Sequence, residues 1–223
     1  MRARIALAYA VLGDKATAAE IQARIDATEG GMLSVYAASV LDRELIEVKA
    51  EQLFELAAAG TSDEARFALE AVSVFYGRVH GDEELREKLY AGLLEHWKQV
   101  PLVPRIELLD LFARSDVGNG APALAVAKID RIEEMVRTNK VLLEDQVALR
   151  ARVALLRGLA GQREAGADMG DEALAKYDEV RESINSIWRG RALRPLAEAY
   201  ASLGQRMIAS DLYERALAEA VIN

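Results

Sequence analysis

Apolar residues recur three and four positions apart through most of the chain. Between Glu44 and Phe54 they fall at Leu45, Ile46, Val48, Leu53 and Phe54, with charged residues between them. Between Glu84 and Trp97 they fall at Leu85, Leu89, Tyr90, Leu93, Leu94 and Trp97. This is the period of a helix that buries one face. No stretch alternates cleanly with period two, so the pattern predicts helices and no sheet.

Short breaks separate these runs: Gly13-Asp14, Gly60-Thr61-Ser62, Gly81-Asp82, Gly118-Asn119-Gly120, Gly161-Gln162 and Gly204-Gln205. Glycine accepts the left-handed conformation that ends a helix, and Asp, Ser or Thr caps the next one. Thr61 with Glu64 has the form of a capping box. Asp82, Glu83 and Glu84 put negative charge at a helix start, where the helix dipole favours it. Turns this short make successive helices antiparallel hairpins. No stretch rich in Gly, Pro or Ser divides the chain, so one domain is expected over residues 1–223. The first helical run begins almost at Met1 without a capping residue, the form expected of a piece of a longer protein.

The last hairpin carries an ordered set of residues: Leu196, Ala197, Tyr200, Gly204, Ala209, Tyr213 and Ala216. Small residues at 197, 209 and 216 let two helices approach closely, and Tyr200 and Tyr213 fill the space between hairpins. This order resembles the tetratricopeptide repeat signature. Looser copies are Ala6, Tyr9, Gly13 and Ala18; Gly60, Ala65 and Leu69; Ala113, Gly120, Ala125 and Ile129; and Ala154, Gly161, Gly166 and Ala173. Gly118 to Gly161 and Gly161 to Gly204 are both roughly 43 residues, longer than the usual unit of about 34. The resemblance implies an all-α fold, with antiparallel hairpins stacked as a right-handed α-solenoid. It is tight only over residues 193–217.

Composition narrows the chemistry. The chain has 36 acidic and 28 basic residues, a net charge of −8, and 52% hydrophobic residues. That is ample for a core and excludes intrinsic disorder. The absence of cysteine excludes disulfides and thiolate sites, and two histidines leave little for a histidine-based site. The acidic balance argues against nucleic acid as a partner. No apolar run reaches the roughly 20 residues of a membrane span. Met1 to Leu12 has the outline of a signal peptide, with Ala16-Thr17-Ala18 as a cleavage site. Asp14 and Lys15 interrupt it, and the same residues fit the repeat, so a cytoplasmic protein is expected.

No catalytic pattern emerges. His80, Asp82, Glu83 and Glu84 could gather a metal, but capping accounts for the acids. Gly118-Asn119-Gly120 lacks the Lys-Ser/Thr of a phosphate loop, and the glycines from 158 to 170 lack a preceding strand. The pairs Glu133-Glu134, Glu144-Asp145 and Asp171-Glu172 read as solvated helix faces. No enzyme activity, cofactor or metal is expected.

The distinctive cluster is Trp188, Arg189, Arg191 and Arg194, followed by Pro195. Proline is tolerated in a first helical turn and costs about 3 kcal/mol deeper inside. The helix therefore either starts near Arg194 or is kinked there, and a start would aim free N–H groups and two guanidinium groups at one anion. The alternative is that these arginines pair with Asp178, Glu179, Glu182 or Glu198, while Trp188 fills core. The tetratricopeptide resemblance places Arg191 and Arg194 on the groove that holds partner peptides. It places Glu198 where the family's carboxylate clamp has an asparagine. The matching positions one unit earlier are Ala148, Ala151 and Leu155, a partly apolar surface suited to a helix or extended peptide. The expectation is a scaffold that binds another protein, its partner segment acidic, with self-association through end repeats as the alternative.

Overall fold

The computed structural model describes residues 5–6, 8–9, 12–24, 46–59, 62–96 and 100–221. Among them every regular element is helical, and the helices pack on one another. Ten α-helices have defined bounds: α1 Lys15–Ala23, α2 Ile46–Ala59, α3 Ser62–Arg78, α4 Glu83–His96, α5 Leu102–Gly118, α6 Pro122–Thr138, α7 Leu143–Leu159, α8 Arg163–Val180, α9 Ser186–Ser202 and α10 Arg206–Val221. A 3₁₀ turn, Arg181–Ser183, follows α8. None of these helices is long and apolar enough to cross a membrane. The chain forms two compact units, Met1–Leu108 and Leu109–Asn223.

In the first unit α2 packs against α3 and α4. Phe54 is buried, and Gly92 of α4 sits on it so closely that an added Cβ would lie 2.8 Å from the ring. His96 stacks on the same ring at 5.8 Å and faces Glu51 at 3.5 Å. Asp82 accepts a bond from the Leu85 N–H (3.2 Å), the expected cap of α4. The Thr61–Glu64 capping box, Gly60 and most of the signal-peptide segment lie outside the described residues.

In the second unit α5 turns into α6, α7 into α8 and α9 into α10 at a glycine. Gly120, Gly161 and Gly204 have φ of 76°, 83° and 82°. The residue after each donates its N–H back into the preceding helix: Ala121 to Asp116, Gln162 to Arg157 and Gln205 to Tyr200, at 2.8 to 2.9 Å. Gly13 (φ 88°), in the first unit, ends its run the same way through Asp14 and Tyr9. This is the left-handed cap that closes a helix end. The turn residue after α5 is Gly120, while Gly118 is the last residue of the helix. The two glycine spacings are therefore unequal. Neither Ala121 nor Gln162 caps the next helix with its side chain; α6 starts instead on Pro122, whose fixed φ suits a first turn.

One core runs between α7, α8, α9 and α10. Val147 and Ala151, Ala173 and Tyr177, Leu193, Leu196, Ala197 and Tyr200, and Ala209 and Leu212 meet there. Small residues set the spacing. A Cβ on Gly166 would lie 2.8 Å from Leu203, and one on Gly190 would lie 2.8 Å from the Ala216 carbonyl oxygen. Tyr200 is fully buried as expected, whereas Tyr213 is exposed on α10.

Candidate functional site

Two helices of the second unit lie side by side and run the same way. At one end Glu144, Asp145 and Ala148 of α7 share a cavity with Trp188, Arg191 and Ala192 of α9. At the other end Gly158 of α7 meets Ser202, the last residue of α9, and Leu203 just after it. Gly158 permits that approach, since a Cβ there would lie 2.6 Å from the Ser202 hydroxyl oxygen. Start faces start and end faces end, offset by roughly the glycine repeat.

Helix α9 does not begin at Pro195. It begins at Ser186, where the Asn185 side chain accepts from the Ile187 N–H (3.2 Å), and it passes through Pro195. Leu193, Leu196, Ala197 and Tyr200 are all fully buried, so packing outweighs the proline's cost. The anion site expected from free N–H groups beside Arg194 is therefore not formed.

The clustered arginines separate into distinct environments. Arg189 is largely buried, donates to the Ile184 carbonyl (3.0 Å), and pairs with Glu182 at 3.4 Å and Glu219 at 3.9 Å. Glu219, buried, also holds Arg181 and the Tyr177 hydroxyl, so Arg189 helps pin α9 and α10 to the end of α8. Arg194 points into solvent, 75% exposed, and its Nε donates to Glu198 at 2.9 Å. An exposed i,i+4 pair of this kind contributes about 0.3–0.5 kcal/mol. Arg191 makes no ion pair among the described residues. Its guanidinium lies over the Trp188 ring, 5.1 Å from the centroid. Trp188 itself is 39% exposed and does not fill the core. Asp178 and Glu179, the other acids considered, are held by Arg215 (2.7 Å) and Lys176 (3.0 Å).

On α7, Ala148 lines the cavity and Leu155 is half-buried. Ala151, expected on the groove, is fully buried against α9 and cannot meet a ligand. The reason is the close approach of the two helices, which consumes the position between Ala148 and Leu155.

Glu144 and Asp145 belong to the site although they read as solvated from sequence. Both are half-buried in the first turn of α7. Burial pushes the Asp145 carboxyl up from its ordinary range and Glu144 adds to this, while Arg191 opposes it. The signal that could have found them is the repeat offset, which sets Asp145 opposite Trp188.

The carboxylates on the far side are engaged. Glu133 takes Arg157 and Arg137, Glu172 takes Arg137, and Asp171 accepts from the Tyr200 hydroxyl. In the first unit Glu83 pairs with Arg86 at 3.8 Å, Glu84 with Lys88 at 3.2 Å, and His80 lies edge-on to Tyr76. Among the described residues no group of three or more His, Asp or Glu side chains is placed to hold a metal ion.

The α7–α9 cavity measures about 150 Å³. Pockets for whole small molecules span roughly 300–1,000 Å³, so this one fits a single side chain. Compared with protein-family models, curated proteins and solved structures, the chain matches none.

Proposed function

We propose that this chain is a non-enzymatic interaction module that holds a peptide or helix of a partner protein along the α7–α9 face. The observation that carries this reading is the exposed Trp188 with Arg191 over its ring, beside a cavity the size of one side chain. Exposed aromatic and arginine side chains at a concave spot are the anchors on which protein interfaces concentrate their energy. The hairpins are read as consecutive units of a right-handed, tetratricopeptide-like superhelix. The repeated glycine caps and the parallel offset of α7 and α9 support this, and such an array presents one helix of each unit along a common face. Arg189 and Arg194 are engaged by carboxylates of the chain itself, which leaves Arg191 and Trp188 as the members of the cluster that face a partner there.

The test is a photo-reactive residue placed at Arg194, with a second placed at Met207 on α10. Cross-linking of a distinct polypeptide from Arg194 and not from Met207 supports the reading. Equal products from both positions contradict it.

A second reading is favoured by α10, where Met207 is 88% exposed and Tyr213 and Leu217 also face solvent. An apolar helix side of this kind would be covered by self-association. A Met207 cross-link to a second copy of the chain supports it.

A further inference from the structure

The α7–α9 cavity holds two carboxylates and one guanidinium. Arg191 is placed over Trp188 and pairs with neither acid, and among the described residues no other cation pairs with Glu144 or Asp145. The two acids are adjacent in sequence and half-buried, so each repels the other through partly excluded solvent. The α7 dipole offsets part of that charge. The cavity is still short of one positive charge, and an arriving group that supplies it gains more than one that adds a third carboxylate. The indole offers the second half of the match. Its position under Arg191 shows that this ring accepts a guanidinium on its face, and part of the ring stays open to solvent.

Resting on the reading of this face as a peptide groove, we propose that the cavity selects a basic side chain of the partner, arginine before lysine. The arriving guanidinium bonds to Glu144 and Asp145 and packs on Trp188 beside Ala148 and Ala192. Arginine leads because its planar fork matches carboxylates and it is more weakly hydrated than an ammonium group. In this arrangement Arg191 is a competitor of the ligand. Its charge weakens the basic side chain's hold, which reverses the sign expected if Arg191 were the anchor for an acidic residue.

The experiment is selection of displayed random peptides on the intact protein, followed by titration of the selected peptides. The expected result is a motif with Arg or Lys at one fixed position. In titration, a Glu144→Gln, Asp145→Asn variant with unchanged melting temperature binds about tenfold more weakly. Arg191→Gln binds the same peptide roughly two- to fivefold more tightly. A motif fixed on Asp or Glu, or weaker binding by Arg191→Gln, overturns the basic-side-chain assignment and leaves the groove reading in place. Undiminished binding by the Glu144→Gln, Asp145→Asn variant does the same. Failure to select any peptide overturns both.

Discussion

Gly190 of α9 lies against the backbone of Ala216 of α10, where an added Cβ would come within 2.8 Å of the carbonyl oxygen. A carbonyl inside a helix cannot turn aside without breaking the ladder, so the two helices would have to separate. Alanine favours a helix over glycine by about 1 kcal/mol, but overpacking costs about 1–3 kcal/mol. Gly190→Ala is expected to destabilise the protein by about 1 kcal/mol or more. Gly158→Ala meets side chains instead, the Ser202 hydroxyl, which would have to give up its bond to the Ala199 carbonyl (2.7 Å), and Leu203 at 3.2 Å, and is expected to cost less than Gly190→Ala. Denaturation midpoints of the two variants check the contrast.

Lys128 reaches Asp116 across the turn from α6 to α5 at 2.7 Å, and both side chains are buried. Removing one partner leaves the other charged in a poorly solvated place. Lys128→Met should cost about 3–5 kcal/mol, whereas Asp116→Leu with Lys128→Met should recover most of it. Urea unfolding of the single and double variants measures the difference.

Stability should fall in acid partly through Glu133. Burial alone would raise its carboxyl, but Arg157 at 2.5 Å and Arg137 at 3.0 Å outweigh burial and hold it below its ordinary value. A group held low stabilises the fold above its unfolded pKa, about 4.3 for glutamate, and loses that contribution as pH drops through its folded value. Melting temperature should decline between roughly pH 5 and pH 3, and Glu133→Gln should flatten that decline. An identical decline in both proteins would place the acid sensitivity elsewhere.

Much of the helical layout was legible before any coordinates. Gly13, Gly161 and Gly204 all take the left-handed turn expected of them, and Asp82 caps α4. These are local signals, decided within a few residues. Whether α9 starts near Arg194 or continues through Pro195 was open in the sequence, because the proline's cost is local while the burial that offsets it comes from α7, α8 and α10. Asn185, eight residues upstream of Leu193, held the true cap. The site divided along the same line. The pairing of Arg194 with Glu198 is an i,i+4 relation readable in sequence, whereas the engagement of Arg189 by Glu219 is tertiary. The roles of Glu144 and Asp145 appear only when α7 is set beside α9.

Tyr200 is fully buried, and its hydroxyl donates to Asp171 at 2.5 Å. Burial, with Asp171 adding to it, raises the phenol above its ordinary range. Tyr177 is raised too, by burial and by Glu219, so an ultraviolet titration of the protein should show both phenols ionising late. Tyr200→Phe should remove one of these late groups and cost about 1–2 kcal/mol for the lost charge-assisted bond.

The most direct measurement is a comparison of the proteins retained by the parent chain and by Trp188→Ala. Trp188 is exposed enough for the truncation to leave the melting temperature nearly unchanged, and this is checked first. Cross-linking from Arg194 then identifies which retained protein touches the α7–α9 face. The account predicts that Trp188→Ala loses that protein. Undiminished retention by Trp188→Ala would contradict it.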